Sequence, residues 1–244
     1  MNRDEALERL VRLGLAAADA EVVADHFAEA ERRGKQGHGF SRLPWLEQQP
    51  FDFTARPRRL GREGCLERWD GGGAVGYVTL AAICQSLVAD PPEPGRVVVA
   101  SNCFPTGSLG LWVRRLAEQG LVALLTATSP ARLAHPAGGP PLAGTNPLAI
   151  AVPSSDGQPL VADVSMGATT YGAVLAGQAR PEELVPFGGP QAHKAFALAL
   201  GLQAVVDALA GDGYGAVLLA ARPEADPVPA LRERAAGVRL PGDA

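Results

Sequence analysis

RVVVASNCFPTGSLGLWVRRLAEQGLVALLTAT, residues 96–128, is the stretch that decides the fold class. Residues 96–101 are an apolar, β-branched run of strand length. Residues 109–119 repeat their apolar positions at helical spacing and close on Gly120, and residues 121–128 form a second apolar run. Strands joined through a helix in this way run parallel, and ligands gather at the carboxyl ends of such strands. Asn102 and Cys103 fall at the first of those ends.

Working outward, residues 75–89 read as a helix stopped by Pro91-Pro92, and residues 65–69 as a short strand. Before them lie two amphipathic helices. The first starts from Asn2 with Glu5 as a capping box and ends at Gly14; the second is capped by Asp19 and ends at Gly34. On the C-terminal side, strands at 148–152 and 160–164 are joined by the turn Ser154-Ser155-Asp156-Gly157, which predicts a hairpin and so a mixed sheet. An apolar helix at 194–209, a strand at 216–220 and a short helix at 230–236 complete the chain. The fold class is α/β: a mixed sheet core with flanking helices and an N-terminal helical layer. Three regions are expected, with no linker long enough to let them stand apart: an N-terminal helical, substrate-side region (1–70), the sheet core (71–185), and a C-terminal helix and strand packing back on the N-terminal region (186–244).

The chain has 244 residues, 47% of them hydrophobic, and a net charge of -4 without runs of like charge. That composition predicts a globular protein and argues against nucleic acid or membrane as partner. The charged N-terminus is no secretory leader, which points to the cytoplasm. Three cysteines without CxxC spacing form neither a disulfide framework nor a metal cage. No metal site is expected, and His135 and His193 read as structural residues.

The chemistry concentrates at GKQGHGFSRLPWL, residues 34–46. His38 and Arg42 follow a helix end, where an imidazole can move a proton and a guanidinium can clamp a carboxylate. Alone, such a pair also suits an exposed loop. Asp163, at the end of an apolar strand, serves equally well as a turn residue. Cys103 is a candidate nucleophile at a strand end, though cysteines of such cores are commonly small buried hydrophobes. Gly71 to Gly76, GGGAVG, satisfies the G-x-G-x-x-G spelling. No acidic residue ends the next strand to meet a ribose, so a glycine-rich helix entry is the better reading.

Five segments in order resemble the malate/L-lactate dehydrogenase-like family of NAD(P)-dependent oxidoreductases, which is distinct from the Rossmann-type lactate dehydrogenases. They are HGFSRLP, DGGGAVG (70–76), LAGTNPLAIAVP (142–153), LVADVS (160–165), and PFGG with HKAFALAL (186–200); VRLPGD at 238–243 echoes the family's C-terminal end. The resemblance implies that Asp163 works with His38 as an acid/base pair. It also implies that Arg42, Asn102 and Lys194 face the substrate, and that Thr145, Asn146, Pro147, Gly188, Gly189 and His193 lie near any retained cofactor. Arg132, like Lys194, is a candidate to neutralise a phosphate or carboxylate. Relatives of the family are dimers with the site near the subunit interface, so a homodimer, or a heteromer with another protein, is expected.

The departures shape the functional expectation. Cys103 stands where related dehydrogenases carry a histidine, Gly37 replaces a serine and Leu46 a tyrosine. Gly172-Ala173 replaces a Gly-Lys pair, and only residues 174–185 remain of a much longer segment. A dinucleotide needs an extended groove lined with donors. The trimmed fold therefore predicts an enzyme without a cofactor that acts on a small carboxylate-bearing amino, imino or oxo acid by non-redox chemistry: elimination, cyclisation or isomerisation. Two alternatives stand beside it: a reductase or dehydrogenase that still uses NAD(P)H, and a non-catalytic partner subunit of another enzyme.

Overall fold

The computed structural model describes residues 1–243. Its helices are α1 Arg3–Leu13, α2 Ala17–Arg32, α3 Leu43–Leu46, α4 Gly76–Ala89, α5 Leu109–Ala117, α6 Tyr171–Leu175, α7 Ala192–Ala210 and α8 Val228–Ala235. The strands are β1 Arg58–Glu63, β2 Leu66–Asp70, β3 Gly95–Ser101, β4 Val122–Ala127, β5 Leu148–Val152, β6 Leu160–Val164 and β7 Ala216–Ala221. Asn2 and Glu5 close the expected capping box on α1, and Gly14 ends it at a φ of 111°. Asp19, expected as the cap of α2, instead lies in its first turn behind Ala16, where its charge complements the helix dipole. Gly71 to Gly76 enter α4 as a helix entry should.

All seven strands form one mixed sheet in the order β1-β2-β3-β7-β4-β5-β6. β3 and β4 run in the same direction, as their helical crossover requires, yet they are not neighbours. β7 lies between them, antiparallel to both. This corrects the expectation that the C-terminal helix and strand pack back on the N-terminal region: β7 is the central strand of the core, and α7 packs on β3, β4 and β7. The β5–β6 hairpin forms as predicted. β1 was hidden in the sequence because RRLGRE has no apolar alternation. It is a fully exposed edge strand, and its charges discourage pairing with another chain.

Apolar positions of α1, α2, α4 and α5 and one face of the sheet share a single core, in which Phe27, Tyr77, Leu80, Trp112 and Leu125 are fully buried. Leu124 and Leu219, cross-strand partners on the face turned away from α5, are 36% and 40% exposed. α7 is long and apolar enough to meet the length and composition of a membrane span. In this fold it lies on the sheet, with Leu198, Leu200 and Val205 exposed.

Candidate functional site

The strand directions place four chain ends along one sheet edge. β3 and β4 end there, the antiparallel β5 begins there and β6 ends there. A cavity of about 340 Å³ opens at that edge. Its floor comes from residues 104–109 after β3, residues 127–132 after β4, Thr145 and Pro147 before β5, and Asp163 and Ser165 of the β6 end. The turn at residues 34–42 and the start of α6 form the opposite wall.

Gly37 explains how that wall closes. A Cβ at this position would lie 2.6 Å from the Ala173 nitrogen and 2.7 Å from the Gly172 carbon, so only glycine lets α6 pack against the turn that carries His38. The turn is a short 3-10 segment, Gln36–His38, followed by a second, Phe40–Arg42. Gly110 does the same work on the floor, where a Cβ would meet the Asp163 side chain at 2.8 Å.

Asp163 is the most heavily bonded group of the cavity. One oxygen, Oδ2, accepts from Lys35 Nζ at 2.5 Å, from Ser108 Oγ at 2.9 Å and from the Gly110 backbone nitrogen at 3.0 Å. The carboxylate thus sits at the N-terminus of α5, where the helix dipole favours it. Lys35 and these hydrogen bonds hold it ionised, outweighing burial and lowering its pKa below the usual carboxylate value. Behind it, the buried His26 accepts the Ser108 backbone N–H on Nε2 at 3.0 Å and stacks on Trp112, which fixes the position of Ser108. Burial, with Arg115, His38 and Lys35 nearby, holds His26 neutral.

His38 and Asp163 line the same cavity, but Lys35, not His38, is bonded to the carboxylate. Burial against the cavity wall and the cations Arg42 and Lys35 push the His38 pKa down to about 4, although Asp163 pulls the other way. The carboxylate does raise the proton affinity of the imidazole, as a paired carboxylate should, but burial and the two cations outweigh it, so His38 is neutral at neutral pH.

Arg42 is 7% exposed, stacks over Trp45 at 4.3 Å, and its Nε has no hydrogen-bond partner. Arg132 lies 3.5 Å over the Tyr171 ring. Neither guanidinium has an acidic partner among the described residues. An enclosed cation without a counter-charge is costly, so the buried Arg42 favours an anion in the cavity, and the half-buried Arg132 adds to the same positive field. Three cations, Lys35, Arg42 and Arg132, face a single carboxylate, Asp163, across this space.

Several residues expected at the site lie elsewhere. Cys103 is fully buried behind the floor, with its thiol directed at the Gly76 carbonyl at 3.9 Å. Burial pushes its pKa up to about 12, so it is an inert thiol rather than a nucleophile. Asn102 is exposed and donates to Asp70 at 2.8 Å, closing the end of β3. Asn146 is buried behind Thr145, donating to the Ala199 carbonyl and to Gln203. Gly188 and Gly189 are exposed turn residues before α7, and His193 and Lys194 are exposed on its first turn. None of these seven lines the cavity. Lys35, Ser108 and His26 had not been singled out. Lys35 carried a signal, as one of only two lysines in the chain and within the same glycine-flanked stretch as His38. Among the described residues no group of three or more His, Cys, Asp or Glu side chains converges as metal ligands do.

A sequence profile described as malate/L-lactate dehydrogenase matches residues 3–184. The (2R)-3-sulfolactate dehydrogenase (NADP(+)) of Chromohalobacter salexigens is 33% identical over 185 residues, covering 72% of this chain and 56% of the relative. The Δ1-pyrroline-2-carboxylate/Δ1-piperideine-2-carboxylate reductase of Pseudomonas putida is 31% identical over 233 residues, covering 83% of this chain and 67% of the relative. Over the first of these relatives the match spans little more than half the length. The Δ1-piperideine-2-carboxylate reductase of Pseudomonas syringae superposes with a TM-score of 0.83 at 25% identity, covering 99% of this chain and 89% of the other. Malate dehydrogenase of Pyrococcus horikoshii, at 21% identity and a TM-score of 0.79, covers 97% of this chain and 79% of its own and shares the fold. These relatives are named as dehydrogenases or reductases, so the expectation of elimination, cyclisation or isomerisation without a cofactor finds no support among them.

Proposed function

The chain belongs to the malate/L-lactate dehydrogenase family, and from that premise we propose that it reduces the C=O or C=N bond of a small 2-oxo or 2-imino acid with NAD(P)H, in the cytoplasm. The observation that carries the reading is Arg42. A guanidinium 7% exposed, stacked on Trp45 and without an acidic partner among the described residues, is built to receive a carboxylate in two-pronged contact.

The cavity fits this division of labour. Its volume, about 340 Å³, suits a small acid beside a flat ring and is too small for a whole dinucleotide. Hydroxyl groups of Ser129 and Thr145, with the partnerless guanidinium of Arg132, are donors of the kind that a carboxamide, a ribose and a phosphate require, while the Thr128 and Ser165 hydroxyls are already bonded to the backbone. These residues would hold the ring end of the cofactor. When bound, the cofactor supplies a hydride to the substrate carbon. The protein's own groups do the rest. Arg42 orients the carboxylate, the neutral His38 donates a hydrogen bond to the oxygen or nitrogen that gains charge, and α6 keeps bulk water from the turn that carries them. Asp163 holds Lys35 and Ser108 in register.

Titration with NADPH and NADH, followed by quenching of tryptophan fluorescence, tests the reading, together with oxidation of either cofactor in the presence of pyruvate or Δ1-pyrroline-2-carboxylate. Saturable micromolar binding and turnover of one acid are expected. Absence of both would overturn the reading in favour of a partner subunit.

A further inference from the structure

We propose that Lys35 is the group that hands over the proton in this reaction, while His38 only holds the substrate heteroatom. The assignment rests on the reductase reading, because a carbon that accepts a hydride leaves its oxygen or nitrogen in need of a proton.

Three observations converge on the lysine. Its Nζ lines the cavity, and two of its three N–H directions are used, on Asp163 at 2.5 Å and on Ser108 at 3.2 Å. The third has no partner among the described residues. The carboxylate it bonds is itself anchored by Gly110 and Ser108, which fixes the position of the ammonium. The side chain is also 36% exposed, so the proton given up can be replaced from solvent without opening the cavity.

The other cavity groups are worse suited. His38 lines the same cavity as Arg42 and Lys35, and burial first, then these cations, keep its imidazole neutral. A neutral imidazole that gave up its N–H proton would become an anion, which is chemically inaccessible in this setting. The guanidinium groups of Arg42 and Arg132 do not release protons in proteins. His26, behind the floor, is a buried acceptor for Ser108. In the step itself, a Lys35 N–H bond breaks and an O–H or N–H bond forms on the substrate. The hydride becomes the new C–H bond, the acid is reduced and the nicotinamide is oxidised. Lys35 leaves the step as a neutral amine and is recharged from water.

Only two lysines occur in the chain, Lys35 and Lys194, which gives a readout independent of turnover. Protein grown on lysine labelled with ¹³C at the ε carbon should show two signals, assigned with Lys194→Arg. Oxamate, a carboxylate probe that is not reduced, should shift the Lys35 signal saturably and leave that of Lys194, exposed outside the cavity, in place. In kinetics with pyruvate or Δ1-pyrroline-2-carboxylate and NADPH, Lys35→Arg keeps the charge but cannot release a proton. It should lower kcat at least hundredfold, in the range of a lost general acid, with the oxamate affinity within about threefold of the parent. Lys35→Met, as a second variant, should lose kcat equally, and His38→Asn should raise KM more than it lowers kcat. A Lys35 signal indifferent to oxamate, a Lys35→Arg variant retaining kcat within tenfold, or a His38→Asn variant that abolishes kcat at unchanged KM would overturn the assignment. If the unaltered protein turns over neither acid with either cofactor, the reductase reading falls and the assignment with it. Turnover that survives in Lys35→Arg removes the lysine assignment alone.

Discussion

On the proposed function, Arg42 is the residue on which recognition of the substrate depends. A planar guanidinium offers two parallel N–H bonds to a carboxylate and stacks on an indole; a lysine ammonium does neither. Arg42→Lys should therefore raise KM for the acid tenfold to a hundredfold, about 1.4–2.8 kcal/mol, with a smaller effect on kcat, as steady-state kinetics would show. The imidazoles of the buried His26 and the half-buried His38 make a second prediction at this scale. His26 and His38 both have lowered pKa values, so in the folded protein they stay neutral at acidities where the unfolded chain takes up protons. Between about pH 6.5, the ordinary histidine value, and about pH 4, reached by His38, the unfolded state binds more protons and stability falls as pH falls. Asp163 also has a lowered pKa, and the stability it contributes is lost only at still lower pH, as its folded form protonates. The thermal midpoint should decline from pH 6.5 downward, and His38→Asn should flatten that slope. A midpoint constant from pH 7 to pH 4.5 would contradict this account.

At the scale of elements, the contact between α6 and the histidine turn organises the cavity. The two backbones touch because both facing residues, Gly37 and Gly172, are glycines; a Cβ on Gly172 would lie 2.1 Å from the Gly37 oxygen. Gly37→Ala forces them apart. Overpacking of this kind costs about 1–3 kcal/mol, which in a chain of this size lowers the melting point by roughly 2–12 °C. The larger effect should be on catalysis, because the displaced turn carries Lys35, His38 and Arg42 together. Calorimetry and kinetics on Gly37→Ala would separate the two, and unchanged kcat/KM would show that α6 does not set the turn. The sequence shows at this turn a glycine, Gly37, where the resemblance expects a serine. The structure gives a steric reason for the same glycine. It could not be seen earlier because the partner backbone, Gly172 and Ala173, lies far along the chain.

For the whole molecule, the insertion of β7 between β3 and β4 is the decisive fact. Each of its edges is paired through six residues, so it closes two ladders at once. A chain ending at Gly211 would leave two apolar strands with unpaired edges in the middle of the core. Such a truncation should show no cooperative thermal transition by circular dichroism, and a sharp transition would mean that the core closes without β7. Much of the fold was nevertheless legible. The crossover at 96–128, the hairpin at 148–164, the capping box of Asn2 and Glu5, and the helix entry at Gly71 to Gly76 rest on spacing within a few residues, and the local backbone obeys such rules directly. Local pattern likewise identified His38, Arg42 and Asp163 as chemistry-bearing residues, and the resemblance set them side by side. It could not say that Asp163 would be claimed by Lys35, 128 residues away, or that Lys194 would face solvent; for Cys103 it offered the buried hydrophobe beside the nucleophile, and the structure bears out the former. Periodicity fixes which residues share a strand or a helix face, because that is a property of a few neighbouring torsions. Which cation meets which carboxylate, and how deep a histidine is buried, depends on the packing of distant elements, and only the assembled sheet with its helices decides it.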